Sequence, residues 1–400
     1  MNLLFFQNII SPHQMPYIQY LPKMDGVEKV AVIVPEVNLD ERDALGWEAG
    51  KWLQTEGVQF VVSPCSGDVE ELFEEYENLN DNVNINVRNE TWCLFSGINA
   101  FPSVAEWFRI SLKYQVKRGI ITEPPYVYEH PLWQHAIRFA LKDWKFVKYI
   151  DKIFVMGEDY LGYYRFWSKR WEVIPFMYCT EWRERGGKDL TPNPDLTPNP
   201  SPRGEGKLRD EGKLKVIYVG SLSQRKNVQC LLKAAMLLSM DVQEQMEIGI
   251  VGDGDEREAL ERLADGLATT VEFYGTLPME RIPEVMEQYD VLVLPSLHDG
   301  WGAVVNEALT LGLYVICSDH CGAKMLLKSA ENGMVFKSNN NKDLASKISM
   351  CIHKREEISW GVKQRIEWSR KHISGEAVAN YIANYLTSFN EEHKDYELFF

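Results

Sequence analysis

A strand, a glycine loop and a helix follow one another between Val291 and Ser318, and this order limits the folds open to the chain. The run Val291–Leu294 is apolar and β-branched, which is typical of a parallel strand buried on both faces. A loop with two glycines leads into a helical segment at 303–309, and a second strand follows at 314–317. The succession predicts a βαβ unit. Free amides and the helix dipole at its helix N-terminus favour an anion such as a diphosphate.

Two acids frame the start of this helix. Asp299 lies in the loop and Glu307 in the helix, with seven residues between them. Because an acid repels a neighbouring anion, the groups that both can bind are hydroxyls flanking a diphosphate, on a sugar and on a ribose. The pair therefore indicates a nucleotide-sugar. The alternative is a solvated loop aspartate and an ordinary helix glutamate.

This segment resembles the signature of the family 4 glycosyltransferases, which are retaining enzymes of the GT-B architecture. Their signature has two glutamates separated by seven residues in a Pro-Ser, glycine-rich setting. Glu307 matches the second glutamate, and Asp299 takes the place of the first. The resemblance implies that Asp299 contacts the donor sugar and Glu307 the nucleotide ribose. The donor diphosphate would lie against the loop residues Gly300, Trp301, Gly302 and Ala303.

A second glycine turn precedes two adjacent cations. A predicted strand at 216–219 ends at Gly220, and Arg225 and Lys226 follow. Cations at this position can neutralise the charge that builds on a leaving nucleotide. In the resembled family this region supplies phosphate contacts. The family often has an arginine directly after the glycine, where this chain has Ser221, so the resemblance assigns that role to Arg225.

The resemblance also implies where the nucleobase lies. A predicted strand at 271–274 ends near the base in the family, which makes Tyr274, Gly275 and Thr276 candidate base contacts. The neighbouring acids Asp253 and Asp255 stabilise a helix N-terminus rather than hold a metal on this interpretation. The sequence thus predicts no metal and no cofactor; the nucleotide-sugar is a co-substrate.

The first half of the chain alternates strand and helix patterns in the same way, which predicts a second parallel sheet. The loop after its first strand contains His13, a candidate acceptor contact at the carboxyl edge of that sheet. The alternative is that this loop only shapes a turn. Glu123 ends a later strand just before two prolines, and it is either a second cleft residue or an ordinary loop acid.

Two domains are expected for a chain of 400 residues. The predicted fold class is α/β, namely GT-B, with two Rossmann-like doubly wound domains facing across a cleft. Residues 1–183 form the acceptor-side domain and 214–374 the nucleotide-sugar-binding domain. Between them, 184–213 is a Pro-rich low-complexity linker in which the segment 190–194 recurs as 196–200. A helix at 375–390 would cross back to the first domain, as in other GT-B proteins.

Charge and composition limit the classes of partner that the chain can bind. A net charge of −15 argues against nucleic acid, and seven cysteines without a repeating spacing suit reduced thiols in a cytoplasm. Two basic, aromatic segments at 142–149 and 163–171 are typical of a peripheral contact with the inner membrane face. The alternative for these aromatic residues is core packing.

Together, these patterns and the family resemblance imply a hexosyl- or related glycosyltransferase. It would move a sugar with retention from a nucleotide-sugar to a saccharide or polyprenyl-linked acceptor, without a metal, in bacterial surface-polysaccharide biosynthesis. The residues assigned to catalysis are Asp299, Arg225, Lys226 and His13. Two alternatives stay open: an epimerase or hydrolase of the same architecture, and a catalytically silent nucleotide-sugar-binding subunit.

Overall fold

The computed structural model describes residues 1–37, 49–81, 90–127, 130–181 and 212–387, and two parallel β-sheets organise them. The strands of the first sheet are β1 Asn2–Phe6, β2 Lys29–Val34, β3 Val58–Val62, β4 Thr91–Ser96, β5 Lys117–Thr122, β6 Lys152–Met156 and β7 Glu172–Phe176. Those of the second are β8 Leu214–Val219, β9 Met246–Val251, β10 Thr270–Gly275, β11 Val291–Leu294, β12 Tyr314–Ser318 and β13 Gly333–Phe336.

Helices connect these strands and cover both sheets. In chain order they are α1 Met15–Ile18, α2 Ser66–Asp81, α3 Pro102–Ser111, α4 Leu132–Lys142, α5 Leu161–Trp167, α6 Gln229–Met236, α7 Met240–Gln243, α8 Arg257–Ala264, α9 Ile282–Met286, α10 Val304–Thr310, α11 Asn341–His353, α12 Arg355–Trp360, α13 Val362–His372 and α14 Gly375–Thr387. Short 3₁₀ helices lie at Leu21–Lys23, Ala49–Gln54, Trp144–Tyr149 and Gly322–Leu327. Local chemistry explains some of the boundaries: α3 starts on Pro102, and the Asn340 side chain caps α11.

Each sheet reverses its strand order once. The first has the order β3-β2-β1-β4-β5-β6-β7 and the second β10-β9-β8-β11-β12-β13. The reversals lie between β1 and β4 and between β8 and β11, and ligands bind outside the carboxyl ends of strands at such points. His13 follows β1, Lys226 follows β8 and Asp299 follows β11. The topology therefore brings these predicted site residues to the two reversals of strand order, which are the switch points of the two sheets.

The last helix returns to the first sheet. Gly375, where α14 begins, packs so closely on α1 that a side-chain carbon there would overlap the carbonyl oxygen of Pro16. Further along α14, the Tyr381 hydroxyl donates to the Pro175 carbonyl at 2.9 Å and its ring stacks on Phe176. The proposed linker at 184–213 lies almost wholly outside the described residues, and so do residues 388–390 of the predicted crossing helix.

Candidate active site

The loops after β8 and β11 lie side by side and are bonded to each other. The Leu297 amide donates to the Arg225 carbonyl at 2.8 Å, and Arg225 Nη1 donates to the His298 carbonyl at 3.0 Å. The Arg225 guanidinium thus holds the second loop, a role that the sequence did not indicate. Since a guanidinium has five N–H donors, this contact is compatible with the predicted phosphate contact.

An ion pair joins the two loops at their centre. Lys226 Nζ lies 2.5 Å from Asp299 Oδ2, and the two side chains are only 17% and 12% exposed. The Ser296 hydroxyl lies 3.5 Å from the same carboxylate oxygen. Removing either charged group would leave the other largely buried and unpaired, which costs far more than losing a surface ion pair. Asp299, the acid predicted to contact the sugar, is therefore ion-paired with Lys226, the cation predicted to contact the diphosphate.

Backbone hydrogen bonds fix the position of Asp299. Its amide donates to the His320 carbonyl at 3.0 Å, and its carbonyl accepts from the Gly322 amide at 3.1 Å. The Trp301 carbonyl accepts from the Ala323 amide at 2.8 Å. The approach is close: a Cβ built on Gly322 would overlap the Gly300 carbonyl oxygen. Position 322 requires glycine because the backbone at 322 lies too close to the backbone of Gly300 for a side chain to fit.

Gly322→Ala is therefore expected to lower the free energy of unfolding by about 1–3 kcal/mol, the usual cost of overpacking. Urea unfolding followed by circular dichroism measures the change. Gly162→Ala is the matched control, because a Cβ at Gly162 in α5 would meet nothing within 4 Å. Equal unfolding midpoints for Gly322→Ala and the wild type would show that the loop yields without cost.

The amides of the glycine loop have no hydrogen-bond acceptor among the described residues. Within the described ranges, the amides of Gly300, Trp301, Gly302 and Ala303 donate no hydrogen bond. Gly302 has φ of +91°, and a Cβ there would lie 2.8 Å from Cys321 Sγ. Glycine at 302 thus allows the turn that leads into α10, and the four amides remain candidate diphosphate contacts.

The structure gives the Trp301 side chain a different role from the predicted ligand contact. Trp301 is 2% exposed, and its Nε1 donates to Asn306 Oδ1 at 2.8 Å. Asn306 Nδ2 in turn donates to the Tyr178 carbonyl at 3.1 Å. The indole is part of the core because its single polar atom finds a partner there. Asn306 was not among the predicted site residues; its signal is a buried-side amide next to Glu307 on a mostly apolar helix segment.

Glu307 and His13 line the same hollow between the two domains. Its other residues include Pro12 and Lys51 from the first domain and Glu280 from the second. Asp299 and Gly300 instead line a second hollow with His320 and the first-domain residue Tyr160. The structure thus brings Glu307 to His13 and Asp299 to Lys226, but the two acids open on different hollows.

Glu123 faces the glycine loop from the first domain. Its Oε1 accepts from the Tyr178 hydroxyl at 3.1 Å, and its Oε2 lies 3.0 Å from the position of a Cβ on Gly300. Beside it, the ring of Tyr126 meets His298 edge-on at 4.9 Å between centroids. Burial lowers the pKa of His298, which favours its neutral imidazole. Of the two interpretations of Glu123, the structure favours a cleft residue.

The predicted base contacts differ in their surroundings. The Tyr274 hydroxyl lies 2.6 Å from Glu272 Oε2 and 2.8 Å from the Tyr289 hydroxyl, and burial raises its pKa. This network engages the phenol within the second domain. The Gly275 carbonyl accepts from the Gly252 amide at 2.8 Å, while Thr276 is exposed.

Gly220, at the turn after β8, has φ of +150°, and its carbonyl packs against Gly252. The nearest contacts of Gly220 are therefore those of a tight turn.

The second domain is similar in sequence to known glycosyltransferases. Residues 205–365 match the family model described as "Glycosyl transferases group 1". An α-1,4-N-acetyl-D-galactosaminyltransferase of Campylobacter jejuni is 31% identical over 166 residues, which are 40% of this chain and 46% of that enzyme. Sulfoquinovosyl transferase SQD2 of Arabidopsis thaliana is 31% identical over 35% of this chain and 27% of its own. The chain thus spans less than half the length of these two curated relatives.

Solved structures match the whole fold. The crystal structure of HepE from Anabaena in complex with UDP aligns with 96% of this chain and 99% of its own, with a TM-score of 0.64 and 17% identity. The chain has the GT-B architecture. In this GT-B fold, the second domain contains the family match, and His13 and Glu123 lie in the first domain.

Among the described residues, no helix is long and apolar enough to cross a bilayer, and no group of three potential ligands is placed to hold a metal.

Proposed function

We propose that this protein is a retaining glycosyltransferase that moves a hexosyl or related group from a nucleotide-sugar to a saccharide or polyprenyl-linked acceptor. The observation that carries the proposal is the Lys226–Asp299 pair, which lies on the two loops of the second sheet's switch point. HepE, which has the same fold, has been solved with UDP and with UDP-glucose. The Campylobacter relative is named for a PP-undecaprenol-linked substrate, which supports a lipid-linked acceptor.

In the proposed reaction, charge develops on the diphosphate as the bond to the sugar breaks. Lys226 and Arg225 neutralise it without a metal, and the loop amides from Gly300 to Ala303 donate to its oxygens. Glu307 accepts hydrogen bonds from the ribose hydroxyls. Asp299 orients a hydroxyl of the sugar, and its contact with Lys226 couples sugar and diphosphate recognition. The acceptor hydroxyl approaches from the first domain, on the side of His13 and Glu123, and attacks the same face that the nucleotide leaves.

The proposal places this reaction in bacterial surface-polysaccharide synthesis, in the cytoplasm with peripheral contact at the inner membrane face. Free cysteines at all seven positions, of which only Cys65 is exposed, are compatible with a reducing compartment. A polyprenyl-linked acceptor would also require the enzyme to work next to a lipid surface.

A thermal-shift titration tests the donor site. UDP, GDP, ADP and UDP-glucose are added to the full chain, and the unfolding temperature is followed as a function of concentration. A ligand that binds only the folded state should raise that temperature by about 3 °C at a hundredfold excess over its Kd if the 400 residues unfold together. Lys226→Met should reduce the shift. If no nucleotide diphosphate or nucleotide-sugar raises the unfolding temperature, the donor site does not exist.

One alternative is favoured by a specific observation. Because Asp299 is shorter than glutamate and already bound to Lys226, it is compatible with a nucleotide-sugar-binding subunit that has no turnover. Such a subunit would give the same thermal shift as the enzyme. Incubation of UDP-glucose with the protein and a panel of lipid-linked and free saccharides separates the two, since only the enzyme releases UDP.

A further inference from the structure

Helix α4 has an apolar side that the rest of the protein leaves exposed. Trp133, Ile137 and Leu141 follow one another at intervals of four, so they line one side of the helix, and they are 61%, 51% and 80% exposed. The opposite side packs inward: the Phe139 ring lies 4.7 Å from the Trp167 ring and 5.9 Å from that of Trp171. None of the eleven residues of α4 is buried. Helix α4 therefore packs on the protein with one side only.

The exposed apolar surface continues onto two neighbouring segments. Trp144 in the 3₁₀ helix Trp144–Tyr149 is 55% exposed, and Phe166 in α5 is 80% exposed. Trp167 joins them, because its ring lies 6.4 Å from Trp144 and 5.4 Å from Phe166. We name the surface formed by Leu132–Lys142, Trp144–Tyr149 and residues 161–170 the docking face. Large aromatic and aliphatic side chains grouped in this way mark an interaction site.

The charge of the docking face is opposite to that of the whole chain. It carries seven exposed basic side chains, which are Arg138, Lys142, Lys145, Lys148, Arg165, Lys169 and Arg170. Its three ranges contain no acid and Asp143 lies between two of them, whereas the whole chain has a net charge of −15. Within the part of the chain that the structure describes, none of the seven forms an ion pair. Lys145 and Lys148 instead lie over the rings of Phe146 and Tyr149, 5.0 and 4.8 Å from the centroids.

We propose that the docking face binds the surface of an anionic lipid bilayer. Tryptophan, leucine and phenylalanine enter the boundary between headgroups and acyl chains, while lysine and arginine reach the lipid phosphates from the same surface. A second copy of the chain fits less well. A symmetric dimer through this face would set seven cations against seven others. The inference rests on the membrane contact contained in the proposed function, and it is independent of glycosyl transfer.

Vesicle sedimentation tests this without donor or acceptor. The full chain is mixed with sucrose-loaded vesicles of phosphatidylcholine alone, or with about 30 mol% phosphatidylglycerol. It should sediment with the anionic vesicles and much less with neutral ones, and raising the salt from about 0.1 to about 0.5 M should weaken binding. The triple change Lys142→Glu, Lys145→Glu, Lys148→Glu should lower the partition coefficient about 100-fold. Trp133→Ala, Leu141→Ala, Phe166→Ala should lower it about tenfold or more.

Two control variants match these changes in exposure and charge. Trp360→Ala, Met240→Ala, Leu237→Ala removes exposed apolar side chains elsewhere, and Lys337→Glu, Lys342→Glu, Lys363→Glu makes the same change in net charge. Both controls should bind like the wild type. The proposal is overturned if the wild type does not sediment with anionic vesicles, or if both docking-face variants bind as well as their controls. It also fails if sedimentation velocity shows that these variants dissociate a dimer, since the face would then join two copies.

Discussion

Lys226→Met is expected to lower kcat by about 10²–10³-fold, the usual cost of removing one group that stabilises developing charge. Methionine has similar length and apolar volume but no charge. The change removes a cation from the proposed diphosphate site, and it leaves the Asp299 carboxylate, which is 12% exposed, without its partner at 2.5 Å. Release of the nucleoside diphosphate from the donor that gives the largest thermal shift measures the effect.

A double variant separates the catalytic from the structural loss. Lys226→Met alone should lower the unfolding temperature because it leaves a mostly buried charge unpaired. Adding Asp299→Asn removes that charge, so the unfolding temperature should recover while turnover stays low. Lys233→Met is the control, since Lys233 in α6 donates to Gln229 rather than to an acid. Wild-type turnover in Lys226→Met would remove this lysine from the mechanism.

Glu307→Gln is expected to weaken binding of both the bare nucleotide diphosphate and the full donor by about 1.5–3 kcal/mol, the value of a hydrogen bond to a charged group. Glutamine keeps the shape of the side chain but has no negative charge, and an NH2 donor replaces one of the two carboxylate oxygens that can accept from the ribose hydroxyls. Titration calorimetry with UDP, or with the nucleotide found by thermal shift, measures the loss. Equal affinities for Glu307→Gln and the wild type would contradict the ribose assignment.

Asp299→Asn should give the opposite pattern and is the matched comparison. It releases Lys226 from its ion pair, so affinity for the bare nucleotide diphosphate should not fall. Turnover should fall, because the proposed contact with the transferred sugar positions the reacting group. A loss of nucleotide affinity in Asp299→Asn would mean that this acid serves the nucleotide or the loop itself. The two acids line different hollows, and this makes independent effects the expected result.

The fold was accessible from the sequence because parallel strands buried on both faces read as continuous apolar runs. Val291–Leu294 and its glycine loop have the predicted form, and the GT-B architecture is confirmed. The resemblance predicted Asp299, Arg225 and Lys226 as parts of one site, and the structure places all three on the two switch-point loops. The pairing of Lys226 with Asp299 was not predictable, because it depends on where two loops 73 residues apart meet.

Side-chain orientation was the other part that the sequence could not provide. Trp301 sits between two glycines in the loop predicted to contact the diphosphate, yet its indole turns inward because Asn306 offers an acceptor. The aromatic residues of 142–149 and 163–171 show the same limit. Their spacing could not separate Phe146, which is buried, from Trp144 and Phe166, which are exposed. Which side of a helix meets solvent is decided by its neighbours in space.

The return of α14 to the first sheet has a consequence for synthesis on the ribosome. The first domain completes its surface only when Gly375–Thr387 packs on α1 and Phe176, yet this helix starts about 200 residues after β7 ends. At about 5–20 residues per second, the ribosome needs about 10–40 s to make that interval. The second domain is translated without interruption in the meantime. The first domain therefore waits that long for its last helix, and the α1 surface that this helix covers stays accessible to chaperones on the nascent protein.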